Sequence, residues 1–171
     1  MGRTIRRASL VTMVLAAGLA LVATAHAGPP WIAIEYPPNP FDQATRDALA
    51  VVHTYHHGNP TSYPMEARAE GLVNGEQRTI ALELQETSET GVFAVLGALP
   101  EEGVWVIVVD MTDEENHIEA SVLLALDENR EPVGIRVPST VQDGWIVPQR
   151  ATERDVEELL SASLAVSKAA R

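Results

Sequence analysis

Six consecutive residues, Val104-Trp105-Val106-Ile107-Val108-Val109, are apolar, and no other segment limits the fold so much. Side chains of a strand alternate between its two faces, so Trp105, Ile107 and Val109 point one way and Val104, Val106 and Val108 the other. Both faces need cover, which places the run inside a sheet with a layer on each side. Ile118 to Leu126 is similar towards its end. Ile118, Ala120, Val122, Leu124 and Leu126 form one face, and Leu123 breaks that one-sided pattern.

The remaining segments read as shorter strands. Trp31 to Tyr36 is an edge-type strand closed by Pro37, Pro38 and Pro40, and Asp42 to Asp47 suits one helical turn. Ala48 to His57 is a second strand, ended by Gly58-Asn59-Pro60. Met65 to Val73 and Gln77 to Leu84 both alternate, and Asn74-Gly75 between them tolerates the positive φ of a type I′ turn, which predicts a hairpin. Gly91 to Leu96, Val133 to Val137 and Trp145 to Val147 complete the set, with turns at Pro100 to Gly103 and Asp127 to Pro132. The expectation is a mainly β fold, an antiparallel β-sandwich of eight or nine short strands.

One helix closes the chain, over residues 152–168. Thr152 is a suitable N-cap with Asp155 three residues on, and Glu153, Glu157 and Glu158 favour the positive helix start. Val156, Leu159, Leu160 and Leu164 recur at helical spacing. This apolar stripe and the doubly apolar strand answer one another: the helix is expected to cover the outer face of the sheet at Val104 to Val109. The alternative is self-association through that face.

Residues 1–27 read as a secretory signal. Arg3, Arg6 and Arg7 precede an apolar run, Leu10 to Val22, that is shorter than the ~20 residues of a spanning helix. Ala25-His26-Ala27 then fits the small-x-small cleavage pattern. Ile5 and Ser9 depart from a twin-arginine signal, and the chain has no Cys for lipid attachment, for a disulfide framework or for a thiol nucleophile. Residues 28–171 are thus expected to be one exported domain, periplasmic or extracellular, with no membrane anchor after cleavage. The chain carries 12 Lys and Arg against 24 Asp and Glu, and loss of the three leader arginines makes it more acidic still. That charge argues against nucleic-acid binding.

Gly91-Val92-Phe93, then Pro100, then Gly103-Val104-Trp105 resembles a strand pair found in bacterial periplasmic immunoglobulin-like β-sandwich domains of the YtkA-like kind. A glycine starts one strand, the chain turns a tight corner, and a Trp is planted between the sheets. The resemblance implies an immunoglobulin-like sandwich and a small binding or accessory domain, in a group partly associated with copper handling. It carries over no metal ligand.

Two clusters carry the chemistry that is legible. His53, His56 and His57 lie in one segment; on a strand His53 and His57 share a face, a spacing that suits a copper or zinc ion given a third ligand from elsewhere, such as Met65 or Met111. The bland alternative is that these imidazoles hydrogen-bond the following turn. Asp110, Asp113, Glu114, Glu115 and His117 read as an acidic loop, a tentative binding site or else a solvated hairpin tip. No catalytic motif is present: no Gly-x-Ser-x-Gly, no His-Glu-x-x-His and no phosphate-cradling loop. The leading expectation is a non-enzymatic binding or accessory module with a protein partner or self-association. A copper-type metal protein using His53 and His57 comes second, and an enzyme built from scattered His57, His117 and Asp110 last.

Overall fold

The computed structural model describes residues 29–113 and 117–170; the expected leader and Glu114 and Glu115 lie outside the described residues. Eleven strands and one helix follow in order: β1 (Trp31–Glu35), β2 (Ala50–His56), β3 (Asn59–Pro60), β4 (Met65–Val73), β5 (Glu76–Glu86), β6 (Val92–Leu96), β7 (Val104–Asp113), β8 (Ile118–Leu126), β9 (Pro132–Arg136), β10 (Ser139–Gln142), β11 (Trp145–Pro148) and α1 (Glu153–Ala169). The fold is mainly β and antiparallel with one C-terminal helix, as expected.

Nine strands join in one hydrogen-bonded path, β1-β2-β6-β5-β4-β7-β8-β9, with β3 on β2. The long β5 turns the corner: Glu76 to Leu82 faces β4, while Glu83 to Glu86 faces β6. The order β7-β4-β5-β6 is a Greek key, in which β7 returns to lie beside the first strand of a three-strand meander. The two halves fold over one another and β1 comes close to β8, giving the sandwich the character of a nearly closed barrel.

The inner core contains Trp105, Ile107, Val109 and Met111 of β7 with Ala120, Val122, Leu124 and Leu126 of β8, opposed by Ile32, Val52 and Val95. Trp105 is wholly buried and its indole Nε1 donates to Glu102 O at 3.1 Å. Its ring lies over Gly71, the residue directly opposite in the β4–β7 ladder; a Cβ at Gly71 would stand 2.5 Å from the ring. Gly71 is therefore a clearance for the indole.

The outer face of β7 and β8 is just as apolar, and α1 covers it. Val104, Val106, Val108, Leu123 and Ala125 pack against Val156, Leu159 and Leu160, with Leu164 partly buried alongside. Leu123, the residue that broke the β8 pattern, faces the helix together with Ala125. Thr152 caps α1 as the sequence suggested: its Oγ1 accepts from Asp155 N at 3.3 Å while Asp155 Oδ2 accepts from Thr152 N at 2.9 Å. Arg136 of β9 donates to Asp155 and Glu158 and fastens the first turns of the helix to the sheet edge. The helix takes the face through which self-association was the alternative.

The two strands beyond the expected nine both belong to short two-residue turns. His57-Gly58 joins β2 to β3, and Asp143-Gly144 joins β10 to β11; all four residues have positive φ, as do Asn74 and Gly75. The β10–β11 ribbon is not hydrogen-bonded strand to strand with the main sheet.

Candidate functional site

The histidine segment does not form the face that its spacing suggested. His57 leaves the strand at φ 54°, as the first residue of a turn, so it no longer follows the alternation of His53 and Tyr55. His53 lies on the outer face of β2, and its Nε2 is 3.2 Å from Glu35 Oε2 on the neighbouring strand. His56 faces the other way, with its ring centroid 4.0 Å from that of His57 and 6.3 Å from Tyr63. Among the described residues no three His, Asp or Glu side chains converge closely enough to share an ion.

Asp110 is also misplaced by the acidic-loop reading. It continues the outer row of β7 after Val108 and is 4 % exposed, well inside the strand. Arg68 Nη1 donates to Asp110 Oδ2 at 2.5 Å, Ser121 Oγ donates to Oδ1, and Arg150 Nη2 stands 3.9 Å away. Burial tends to lower the Arg68 pKa, but the hydrogen bond and charge of Asp110 outweigh it, so the guanidinium is held above its ordinary value. Arg68 also donates to Glu70, which accepts from Thr79. This is a closed polar network on an otherwise apolar face. Its chemistry is structural, since each carboxylate oxygen of Asp110 already accepts a hydrogen bond.

The network reaches the segment between β11 and α1. Ser121 Oγ accepts from Ala151 N at 2.8 Å and Ser121 N donates to Gln149 O at 3.1 Å. Asp110 thereby fixes the strap, residues 149–151, from which the helix runs one way and the β10–β11 ribbon the other. Of the expected loop, Asp113 ends β7 opposite Ile118, and His117 occupies the hairpin turn at φ 54° with its side chain exposed. Asp110 sits inside β7 with Arg68 and Ser121 as its hydrogen-bonding partners, whereas His57 and His117 each occupy a turn residue at positive φ.

A cleft of about 670 Å³ opens beside this strap. Thr112, His117, Glu119, Gln142, Gln149 and Arg150 supply its polar lining, and Pro29, Pro30, Ile118, Val147 and Pro148 much of the rest. One wall belongs to the β10–β11 ribbon, which forms an arm. Gln149 N donates to Pro138 O at 2.8 Å and closes the arm's base. Val141 and Ile146, directly opposite each other, lie on one face and are 74 % and 59 % exposed; Trp145 at the turn is 45 % exposed.

Sequence reasoning singled out neither the arm nor Arg68, Ser121 and Arg150. Asp143-Gly144 carried the same turn signal as Asn74-Gly75, and could have revealed the hairpin that Trp145 to Val147 forms with Ser139–Gln142. The partners of Asp110 had no comparable signal, because they come from distant strands. Neither the protein-family models nor the curated proteins nor the solved structures compared with this chain include a match.

Proposed function

We propose that this chain is an exported, non-enzymatic β-sandwich module that acts by contact, and that its contact surface is the β10–β11 arm with the cleft beside it. The observation that carries the reading is the arm itself. It holds Val141, Trp145 and Ile146 out to solvent on a base fastened through Gln149 and Ser121. Exposed apolar groups clustered on a built projection mark interaction sites more often than chance exposure does. The polar network points the same way: Asp110 is paired with Arg68 and reaches the strap through Ser121, which holds the base of the arm in place. The leader read at residues 1–27 supports export. The YtkA-like strand pattern supports an accessory role.

Site-specific photo-crosslinking tests the reading. A benzoylphenylalanine at Gln142, on the cleft and the arm, is compared with one at Glu76, on the far hairpin, in protein recovered from the exported fraction. The expected result is a discrete adduct from position 142 and none from position 76. No adduct from 142, or equal adducts from both, overturns the assignment of the surface.

A further inference from the structure

We infer that the cleft beside the strap takes the carboxyl-terminal end of an extended peptide, which pairs with the free edge of β8 and sets its terminal carboxylate on Arg150. This deepens the proposed contact role and rests on it for the location of the surface. The strand edge is the first observation. β9 covers β8 only from Leu123 to Leu126, and Gln149 O takes Ser121 N, so Ile118 to Ala120 lie beyond both. The ladder fixes where their backbone groups point. Ser121 N turns away from β7, and Thr112 N, opposite Glu119, turns to Pro64 O. With a period of two, Glu119 therefore directs its N–H and C=O away from β7, on the cleft side. Among the described residues neither group has a partner there. An edge of this kind recognises an extended backbone, whatever its side chains.

Arg150 is the second observation, and it selects which end of a chain fits. It lines the cleft half-exposed, with Nη2 3.9 Å from Asp110 Oδ2. Both Asp110 oxygens already accept, from Arg68 and Ser121, and among the described residues the Arg150 guanidinium donates no hydrogen bond. Its planar fork matches a carboxylate. Arg150 also stands where the strap closes the edge at Ser121, so a strand laid along Glu119 has to stop there. A terminal carboxylate meets both conditions, and the peptide then runs parallel to β8. The chain's formal net charge of −12 repels a partner rich in acidic side chains, whereas a single terminal charge is repelled least. Glu119 carries the acidic side chain of the lining and opposes the anion, while Ile118, Val147 and Pro148 offer the peptide an apolar wall. Backbone pairing at one residue and one carboxylate contact make a weak complex, with Kd on the order of 10–1,000 μM.

Labelled protein recovered from the exported fraction is offered beads that each carry one random heptapeptide, tethered by its amino end. One bead set ends in free acids and the other in carboxyl-terminal amides. A peptide from a bound bead, synthesised alone, then titrates the parent, Arg150→Gln and Glu119→Gln, with circular dichroism confirming that each variant is folded. Amide hydrogen exchange by NMR follows Glu119 in the parent. The expected result is binding to the free acids and not to the amides, with Kd at least tenfold weaker for Arg150→Gln and tighter for Glu119→Gln. Exchange of the Glu119 amide should slow when the peptide binds. Equal binding to acids and amides, an Arg150→Gln complex as tight as the parent's, or a Glu119 amide whose exchange a bound peptide leaves unchanged overturns the inference. Failure to bind either bead set while position 142 still crosslinks a partner removes the peptide and leaves the contact role standing; failure with no such adduct removes both.

Discussion

Asp110 and Ser121 face one another across the β7–β8 ladder, and Ser121 hands the contact on: its Oγ donates to the Asp110 carboxylate and accepts from Ala151 N at 2.8 Å. A sheet position thus controls where the chain enters its last helix. The same serine also donates its backbone N–H to Gln149 O, so one residue anchors both sides of Arg150.

Replacing Asp110 by Ala strands Arg68 and Ser121 together. Breaking a buried pair costs about 3–5 kcal/mol; Arg68 is a third exposed and recovers part of its hydration, so about 2–3 kcal/mol is expected here. Ser121→Ala removes a hydrogen bond to the Asp110 carboxylate and one from Ala151 N, and costs about 1.5–3 kcal/mol. Urea unfolding of the two single variants and the double variant measures both. The double variant should lose less than the sum, because the serine contact is counted in each.

Gly71→Ala places a methyl group 2.5 Å from the Trp105 ring, between two strands that cannot move apart without breaking their ladder. Overpacking of this kind costs about 1–3 kcal/mol. The expected outcome is a lower melting temperature with a shift in Trp fluorescence. Gly71→Ser should behave alike.

Thr152→Ala removes the hydroxyl of the capping box and should cost about 1 kcal/mol. The hydrogen bonds from Thr152 hold the Asp155 carboxyl below its ordinary value, with help from Arg136. A carboxyl depressed in the folded state stabilises fully above its unfolded value, about 3.9, and loses that contribution as pH falls through the folded value. The difference between parent and variant should therefore be greatest above about pH 5 and shrink in acid. Chemical unfolding at a series of pH values reads it out.

His57→Asn tests the turn assignment. Asn accepts positive φ more readily than His, and Asn-Gly is the favoured type I′ pair. The melting temperature should hold or rise slightly, a change within about 0.5 kcal/mol.

Legibility in the sequence followed the range of the interactions. The Asn74-Gly75 hairpin, the Thr152 cap and the stripe from Val156 to Leu164 are local patterns, and each was readable. The doubly apolar β7 also foretold a layer on each face, because alternation alone assigns its side chains. Two features were lost for physical reasons. His57 looked like strand because nothing nearby announces that a histidine will take positive φ. Asp110 looked like loop because its neighbours at 113–117 are polar, while the partners that bury it, Arg68 and Ser121, arrive from β4 and β8. The arm was half seen, as Trp145 to Val147, and its other strand, Ser139–Gln142, has too little apolar character to stand out.

The most direct measurement is truncation of residues 152–171. The helix buries Val156, Leu159 and Leu160 at about 1.5–3 kcal/mol each and covers Val104, Val106 and Val108 on the outer row of β7. If that face belongs to the interior, the shortened chain should bind a hydrophobic dye, lose solubility and melt well below the parent. A shortened chain that remains monomeric and equally heat-stable would contradict the assignment of the helix as the sheet's second cover.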